Sequence, residues 1–228
     1  MSQLSFNITG SRVEPYAATP TLMFRLRAAE SSGERIHAVL LRCQIKIEPR
    51  RRNYARDEAE RLYEVFGEPE RWGETLQTVL WTHASLMVPS FEQEIEIDLP
   101  VPCTYDLEVA ATKYFHALEN GEIPLRFLFS GTIFTKGETG VKVEPVPWEK
   151  ETVYHLPVQL WREVMDRYFP GSAWLRLRRD NVDALLRFKG ERALATWDDA
   201  IATLLAEADE RQAYEYRNSA KNRGRGFV

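Results

Sequence analysis

The stretch Phe91-Glu92-Gln93-Glu94-Ile95-Glu96-Ile97-Asp98-Leu99 decides the fold class of this chain. Apolar residues alternate here with acidic ones. The apolar set is Phe91, Ile95, Ile97 and Leu99, and the acidic set is Glu92, Glu94, Glu96 and Asp98. Because successive side chains of a β-strand point to opposite faces, this pattern predicts a strand with one buried and one solvated face.

The same alternation recurs through the first two thirds of the chain and predicts about eight strands. The predicted strands span residues 4–8, 22–27, 36–48, 80–88, 91–99, 105–115, 123–134 and 141–144. No helical pattern follows each strand, which disfavours a parallel doubly wound sheet. We therefore expect a mainly β protein with C-terminal helices (α+β), built on an antiparallel β-sandwich that is immunoglobulin-like or similar.

Helical spacing interrupts this pattern once and then replaces it near the C-terminus. A helix is predicted near 56–66, between two strands, and three more are predicted beyond Pro157. The first of these three is indicated by an apolar stripe from Val158 to Tyr168, before Pro170 and Gly171. Thr196 to Asp199 resembles a capping box that opens the last helix. We expect a sandwich over 1–148, a helical appendage packed on it over 149–208, and a basic, disordered tail over 209–228.

Composition and motifs exclude several functions. With 30 basic and 34 acidic residues among 228, the net charge of −4 argues against a nucleic-acid binder. The sequence shows neither a signal peptide nor an apolar stretch long enough to span a membrane, so we expect a cytoplasmic protein that is not bound to membranes. The two cysteines are predicted to be buried, reduced thiols.

Catalytic and metal-binding signatures are missing as well. No pair among the four histidines has ligand spacing, and neither a nucleophile motif nor a phosphate-binding loop occurs. The acidic row of residues 92–98 could in principle bind calcium, but alternate strand residues diverge along a flat face, so a solvated face is favoured. We predict no catalytic residue, metal ligand or cofactor, and favour a non-enzymatic role.

The predicted partner-binding surface combines a basic cluster with aromatic residues in loops. Arginine clusters suit acidic protein partners, and loop tryptophans are enriched at interface hot spots. The candidates are Arg50, Arg51, Arg52, Arg56, Arg71, Trp72 and Trp148. Two other interpretations stay open: acidic residues after Arg56 could neutralise the cluster in a solvated connection, and each tryptophan could cover an end of the sandwich.

Four stretches resemble one uncharacterised bacterial family of unknown function. They are Arg-Arg-Arg-Asn-Tyr at 50–54, Phe-Gly-Glu-Pro-Glu-Arg-Trp at 66–72, Leu-Trp-Thr-His at 80–83 and Ala-Trp-Leu-Arg-Leu at 173–177. The genes of that family neighbour those of nickel-iron hydrogenases of the high-affinity, hydrogen-scavenging kind. The resemblance implies an accessory, assembly or partner role and supplies no binding residues.

Three functional hypotheses follow. The first is a non-enzymatic accessory module that binds another protein and supports the assembly or function of a nickel-iron hydrogenase. The alternative is a small-ligand-binding protein or enzyme, with a pocket at the sandwich end or at the junction of sandwich and helices. The third is a subunit that forms homo-oligomers through an exposed sheet edge.

Overall fold

The computed structural model describes residues 3–103, 109–137, 140–172 and 176–223, with side chains up to residue 214. The chain divides into two compact units, Met1–Leu175 and Arg176–Val228. Among the described residues, no helix is both long and apolar enough to cross a membrane.

The first unit contains two antiparallel sheets. Sheet A has the order β1-β2-β5 and consists of β1 (Leu4–Val13), β2 (Thr21–Glu30) and β5 (Glu94–Pro102). Sheet B consists of β3 (Ile36–Ile47), β4 (Val79–Val88), β6 (Glu122–Gly137), β7 (Gly140–Pro145) and β8 (Glu151–Pro157). Its order is β4-β3-β6, and β7 and β8 each pair with one end of β6. The predicted mainly β, sandwich-like class is confirmed.

The core lies between the inner faces of the two sheets. Phe24 of β2 meets Phe127 of β6 edge-to-face, with ring centroids 5.1 Å apart. Cys43 and Cys103 are buried free thiols, as predicted. Each fully buried large apolar side chain contributes roughly 1.5–3 kcal/mol, so the alternation that predicts the strands also supplies the stability of the sandwich.

The strand predicted from Phe91 to Leu99 is largely confirmed. Strand β5 begins at Glu94, and Phe91 forms an isolated bridge with Ile36. Leu99 is fully buried, whereas Glu94 and Glu96 are exposed. The two sets of side chains therefore take opposite faces as predicted.

One predicted strand is wrong and one strand was not predicted. The chain forms helix α4 (Ala110–Ala117) within the predicted strand 105–115, of which residues 104–108 lie outside the described residues. Ala111, Tyr114 and Phe115 are all buried at helical spacing, and that period outweighs the apparent alternation. Strand β8 is not predicted because its sequence alternates weakly. The predicted total of about eight strands is therefore right only because one false strand offsets one that is not predicted.

The segment between β3 and β4 is helical, as predicted, but it is broken into short pieces. It contains α1 (Arg56–Arg61), α2 (Tyr63–Phe66) and α3 (Trp72–Thr75), with 3-10 turns at Pro49–Arg51 and Pro69–Arg71. Helix α5 (Val158–Tyr168) closes the first unit with the predicted bounds. Its Tyr168 hydroxyl donates to the carbonyl oxygens of Glu14 and Ala17.

The second unit holds helices α6 (Arg179–Glu191) and α7 (Trp197–Arg223). The predicted capping box is present: the Asp199 amide donates to the Thr196 hydroxyl at 3.0 Å, and the Asp199 carboxylate accepts from the Thr196 amide. Helix α7 continues well past residue 208, where the sequence analysis places the start of a disordered tail. No glycine or proline occurs from 191 to 223, and many of the intervening residues are good helix formers, which explains the extension.

Candidate protein-binding surface

Arg50 and Arg51 make contacts within their own segment. The Arg50 guanidinium donates to the carbonyl oxygens of Leu76 (2.7 Å) and Gly73 (2.5 Å) and thereby holds the end of α3. Arg51 pairs with Glu48 at 2.9 Å. Both side chains stabilise the connection that the sequence analysis predicts as a partner surface.

Arg52 and Glu58 form a buried clamp between this segment and the turn before β6. An Arg52 nitrogen lies 2.5 Å from a Glu58 carboxylate oxygen, and the guanidinium also donates to the carbonyl oxygens of Asn120 and Glu122. Burial would raise the pKa of Glu58, but hydrogen bonds from the Glu119 and Ala55 amides, together with the Arg52 charge, lower it. The carboxylate is therefore held in its charged form by the fold itself.

Trp72 belongs to an aromatic cluster under the same segment. Its indole N–H donates to the Gly67 carbonyl at 3.1 Å, and its ring meets Tyr54 edge-to-face at 5.2 Å. The Tyr54 hydroxyl donates to the Pro49 carbonyl, so its oxygen accepts from the buried Tyr114 hydroxyl at 2.9 Å. Trp72 thus packs inward, in agreement with the alternative in which it covers part of the sandwich.

The remaining predicted residues stay open to solvent but do not form one surface. Arg56 pairs with Glu60 one helical turn away, and Arg71 is exposed at the end of a 3-10 turn. Trp148 lies on a different loop, between β7 and β8, where it is 88% exposed. Six of the seven candidates therefore share the segment between β3 and β4, and Trp148 stands apart from them.

A second exposed surface, which the sequence patterns do not predict, lies on the outer face of sheet B. Six apolar residues share one end of that face, here called the apolar patch: Ala38, Leu40, Met87, Phe134, Val141 and Val143. The strand register places Leu40 opposite Met87 and places Phe134 opposite Val143. The four most exposed members are Leu40 (45%), Val143 (59%), Val141 (62%) and Met87 (65%).

Two positive charges border the apolar patch. Arg42 lies two residues from Leu40 on β3, opposite Ser85 and Ser130, and Lys136 lies two residues after Phe134 on β6. Both side chains are exposed, and neither has an ion pair among the residues that the structure describes. We call Arg42 and Lys136 the basic border.

The outer face of sheet A is different, because its charges are paired across the strands. The acidic row of β5 meets arginines of β1 and β2. Asp98 binds Arg25 at 3.0 Å and Arg12 at 2.9 Å, and Arg27 pairs with Glu94. The pKa of Asp98 is lowered, because hydrogen bonds and charges from these two arginines outweigh its desolvation. The predicted solvated acidic face is therefore a ladder of ion pairs.

The described residues offer few groups suited to catalysis or to ligand binding. Burial raises the pKa of Cys43 and of Cys103 to about 12, so both thiols are protonated at neutral pH. Within the described residues, no cluster of histidine, cysteine, aspartate or glutamate could hold a metal ion. A cavity of about 340 Å³ opens beside the Arg52–Glu58 clamp, lined also by Asn53 and Asn120.

One signal in the sequence could have revealed the apolar patch. Strands with one solvated face should alternate strictly, yet Leu40-Leu41 and Leu86-Met87-Val88 place apolar residues on both faces. Such runs indicate a strand that is covered on both sides. Which outer residues lie side by side depends on the register, which the sequence does not specify.

Comparisons with known proteins identify the family but not its activity. No curated protein matches the chain in sequence. Structural similarity to the β-glucosidase of Kluyveromyces marxianus has a TM-score of 0.24 at 8% identity and covers 68% of this chain and 15% of that one. For β-glucosidase 3B of Thermotoga neapolitana the TM-score is 0.25 at 9% identity, covering 68% and 17%. The chain thus spans about one sixth of these enzymes, and at such TM-scores the similarity carries no argument.

The family model gives the positive result. It matches residues 1–213, which include all four stretches that carry the resemblance, at 50–54, 66–72, 80–83 and 173–177. Residues 173–175 of that last stretch lie outside the described residues. The chain therefore belongs to the family of unknown function DUF6084.

Proposed function

We propose that this protein is a non-enzymatic accessory module that binds another protein through the apolar patch and its basic border. The observation that carries the proposal is the exposure of four large apolar side chains beside two positive charges that have no counter-ion among the described residues. Contiguous exposed apolar surface on a soluble domain is typical of an interaction site. This proposal retains the predicted protein-binding role but assigns it to the outer face of sheet B instead of the segment between β3 and β4.

The charges select the kind of partner. A second copy docking through the same face would bring the basic border of one copy near that of the other, and like charges in contact cost binding energy. An apolar partner segment that carries carboxylates at both ends would instead pair with each border residue. We therefore propose a partner with an apolar stretch flanked by acidic residues.

The setting of this interaction is a finer proposal. The resemblance described above supports a bacterial protein whose partner belongs to a nickel-iron hydrogenase or to its assembly. We propose that both proteins work in the cytoplasm. An accessory protein in that setting needs a stable scaffold and a docking face but no reactive group of its own. The buried, protonated thiols are consistent with such a role.

The test compares two faces of the same sandwich. The tagged full chain is purified from its native cells beside the double variant Leu40→Glu, Val143→Glu and a matched control, Ser5→Glu, Thr9→Glu, on the outer face of sheet A. We expect the control to retain its partners and the sheet B variant to lose them, with Arg42→Glu weakening capture as well. Equal capture by all variants would overturn the surface.

The identity of the captured protein tests the finer proposal separately. A hydrogenase subunit or assembly factor, lost only from the sheet B variants, supports the hydrogenase setting. Capture of an unrelated acidic protein with the same dependence keeps the binding module and rejects that setting. Capture of a basic protein contradicts the assignment of the basic border.

Small-ligand binding is the second candidate, and the 340 Å³ cavity favours it. Its volume falls within the range of ligand sites, but no aromatic or large apolar residue among those described lines it, whereas such sites are usually lined by apolar and aromatic side chains. Asn53→Trp would fill the cavity. A small molecule that raises the melting temperature of the parent chain but not of Asn53→Trp would support this alternative.

A further inference from the structure

The second unit is a helical hairpin with very little core. Two contacts hold the hairpin together: Arg192, directly after α6, pairs with Glu207 of α7 at 2.8 Å, and Lys189 of α6 lies over the Trp197 ring of α7. Ala200 is buried, and no other apolar side chain described in this unit is. Because isolated helices are marginal in water, a hairpin with so little buried surface needs further burial to be stable.

An apolar stripe runs along the first half of α7. Trp197, Ile201, Leu204 and Leu205 follow one another at helical spacing and are 36–62% exposed. Ala200, which is buried, and Glu207, which pairs with Arg192, lie on the adjacent side of α7. On α6, Leu186 is 50% exposed. The hairpin therefore presents apolar residues from both helices.

The charges around this surface are complementary between the two helices. The first half of α7 carries only acidic charges: Asp198, Asp199, Glu207, Asp209 and Glu210. The second half of α6 and the turn after it are mainly basic, with Arg187, Lys189 and Arg192. Arg187, Asp209 and Glu210 have no ion pair among the described side chains. An α7 helix laid against another α7 at this half would place acid on acid, whereas α7 laid on α6 places acid on base.

We infer that two copies of this chain associate through their hairpins to form an antiparallel four-helix bundle, with α7 of each copy on α6 of the other. Two-fold symmetry makes such a surface complementary to itself, and bundles bury apolar stripes of this kind. The arrangement buries Leu186 and Leu205 and supplies counter-charges for Arg187 and for Asp209, which lies one helical turn after Leu205. It uses a surface other than the apolar patch and does not rest on the proposed function.

The oligomeric state of the full chain in sedimentation equilibrium tests this inference. We expect a dimer, and the double variant Leu186→Glu, Leu205→Glu should weaken dimerisation about 100-fold or more, since each buried leucine is lost in both copies. Ala206→Glu, on the far side of α7, is the matched control and should remain dimeric. Circular dichroism establishes that both variants keep their helical content.

Charge reversal tests the pairing of α7 with α6. Arg187→Glu should weaken the dimer, and adding Asp209→Arg to it should restore dimerisation, while raised salt weakens the parent dimer. Leu40→Glu in the apolar patch should leave the dimer intact. A parent chain that is monomeric at every concentration, a dimer that survives the double leucine variant, or a dimer lost in the Ala206→Glu control would each overturn the inference. Failure of the charge rescue would overturn the arrangement of the helices.

Discussion

The outer faces of the two sheets start from the same kind of sequence and end with opposite properties. In both sheets, the strands alternate buried residues with exposed residues, some of which are charged. On sheet A the arginines of β1 and β2 lie beside the carboxylates of β5, so the charges are satisfied within the chain. On sheet B, Arg42 and Lys136 border apolar side chains and have no ion pair among the described residues.

This difference teaches that charge density alone is a poor guide to a binding surface. The densest basic stretch of the chain, residues 50–52, is largely used to hold its own segment, as the buried Arg52–Glu58 clamp shows. Arg42 is the better candidate for contact with a partner because it forms no ion pair with any described residue. What lies opposite a charged residue in the folded register decides its role.

The largest expected effect comes from breaking the pairing that builds the outer face of sheet B. Gly131 has a φ of 144°, and a Cβ there would lie 2.0 Å from the Leu40 carbonyl oxygen. Gly131→Ala should therefore lower the free energy of unfolding by about 4 kcal/mol or more, or prevent folding. Urea denaturation measures this loss.

Gly10 in sheet A is the matched control for Gly131. Gly10 lies at a register shift between β1 and β2, and a Cβ there would be 3.9 Å from the nearest atom, the Arg25 Cβ. Gly10→Ala should cost about 1 kcal/mol or less. Similar losses in the two variants would contradict the close approach of β6 to β3.

A satisfied buried charge should be the next most costly to disturb. Arg52→Met leaves the Glu58 carboxylate buried without its cation and should cost about 3 kcal/mol in urea denaturation. Adding Glu58→Gln removes the uncompensated charge, so the double variant should be more stable than Arg52→Met alone. If Arg52→Met is as stable as the parent, the clamp contributes nothing and Arg52 is free to serve a partner.

The joint between the two sheets depends on a buried carboxylate. Glu30 ends β2, and its carboxylate accepts hydrogen bonds from the amides of Gln3, Ser32 and Gly33 and from the Ser32 hydroxyl. Burial would raise its pKa, but these hydrogen bonds outweigh that effect and lower the pKa from 4.5 to about 2. The charged form is thus strongly preferred in the folded protein.

The sign of the pH dependence follows from that shift. A carboxylate with a lowered pKa in the folded state stabilises fully above its unfolded value of 4.5, and the stabilisation is lost as the pH falls toward 2. Glu30→Gln should cost about 2 kcal/mol at neutral pH. In urea denaturation at a series of pH values, the difference between parent and variant should shrink through this window. A constant difference would contradict a charged Glu30.

The sequence predicts the individual strands and helices of this fold better than it predicts which of them pack side by side. Strict alternation at Ile95, Ile97 and Leu99 fixes a strand and its buried face, and the helix 158–168 follows from its apolar stripe. Residues 110–117 show the limit of this reasoning. Short segments can satisfy two periods at once, and only the packing of Tyr114 and Phe115 in the core settles the choice in favour of α4.

The candidate site was less predictable, for a physical reason. Trp148 was identified correctly as a loop tryptophan, but its exposure depends on the turn between β7 and β8. The apolar patch unites residues of four strands, and register between strands distant in sequence is set by the whole core. Alternation assigns Leu40 to an outer face and cannot place Val143 near it.

The smallest expected effect is also the most direct test of the two faces. Arg25→Ala removes the 3.0 Å pair with Asp98 on sheet A, and it should cost about 0.5 kcal/mol at low salt and less at high salt, because the pair is exposed. Arg42→Ala on sheet B removes no ion pair that the structure describes, so its free energy of unfolding should equal that of the parent within error, while capture of the partner weakens. Urea denaturation at two salt concentrations measures the first effect, and co-purification measures the second. A salt-dependent loss of stability in Arg42→Ala would mean that Arg42 forms an ion pair within the chain, and the distinction between the two faces would then fail.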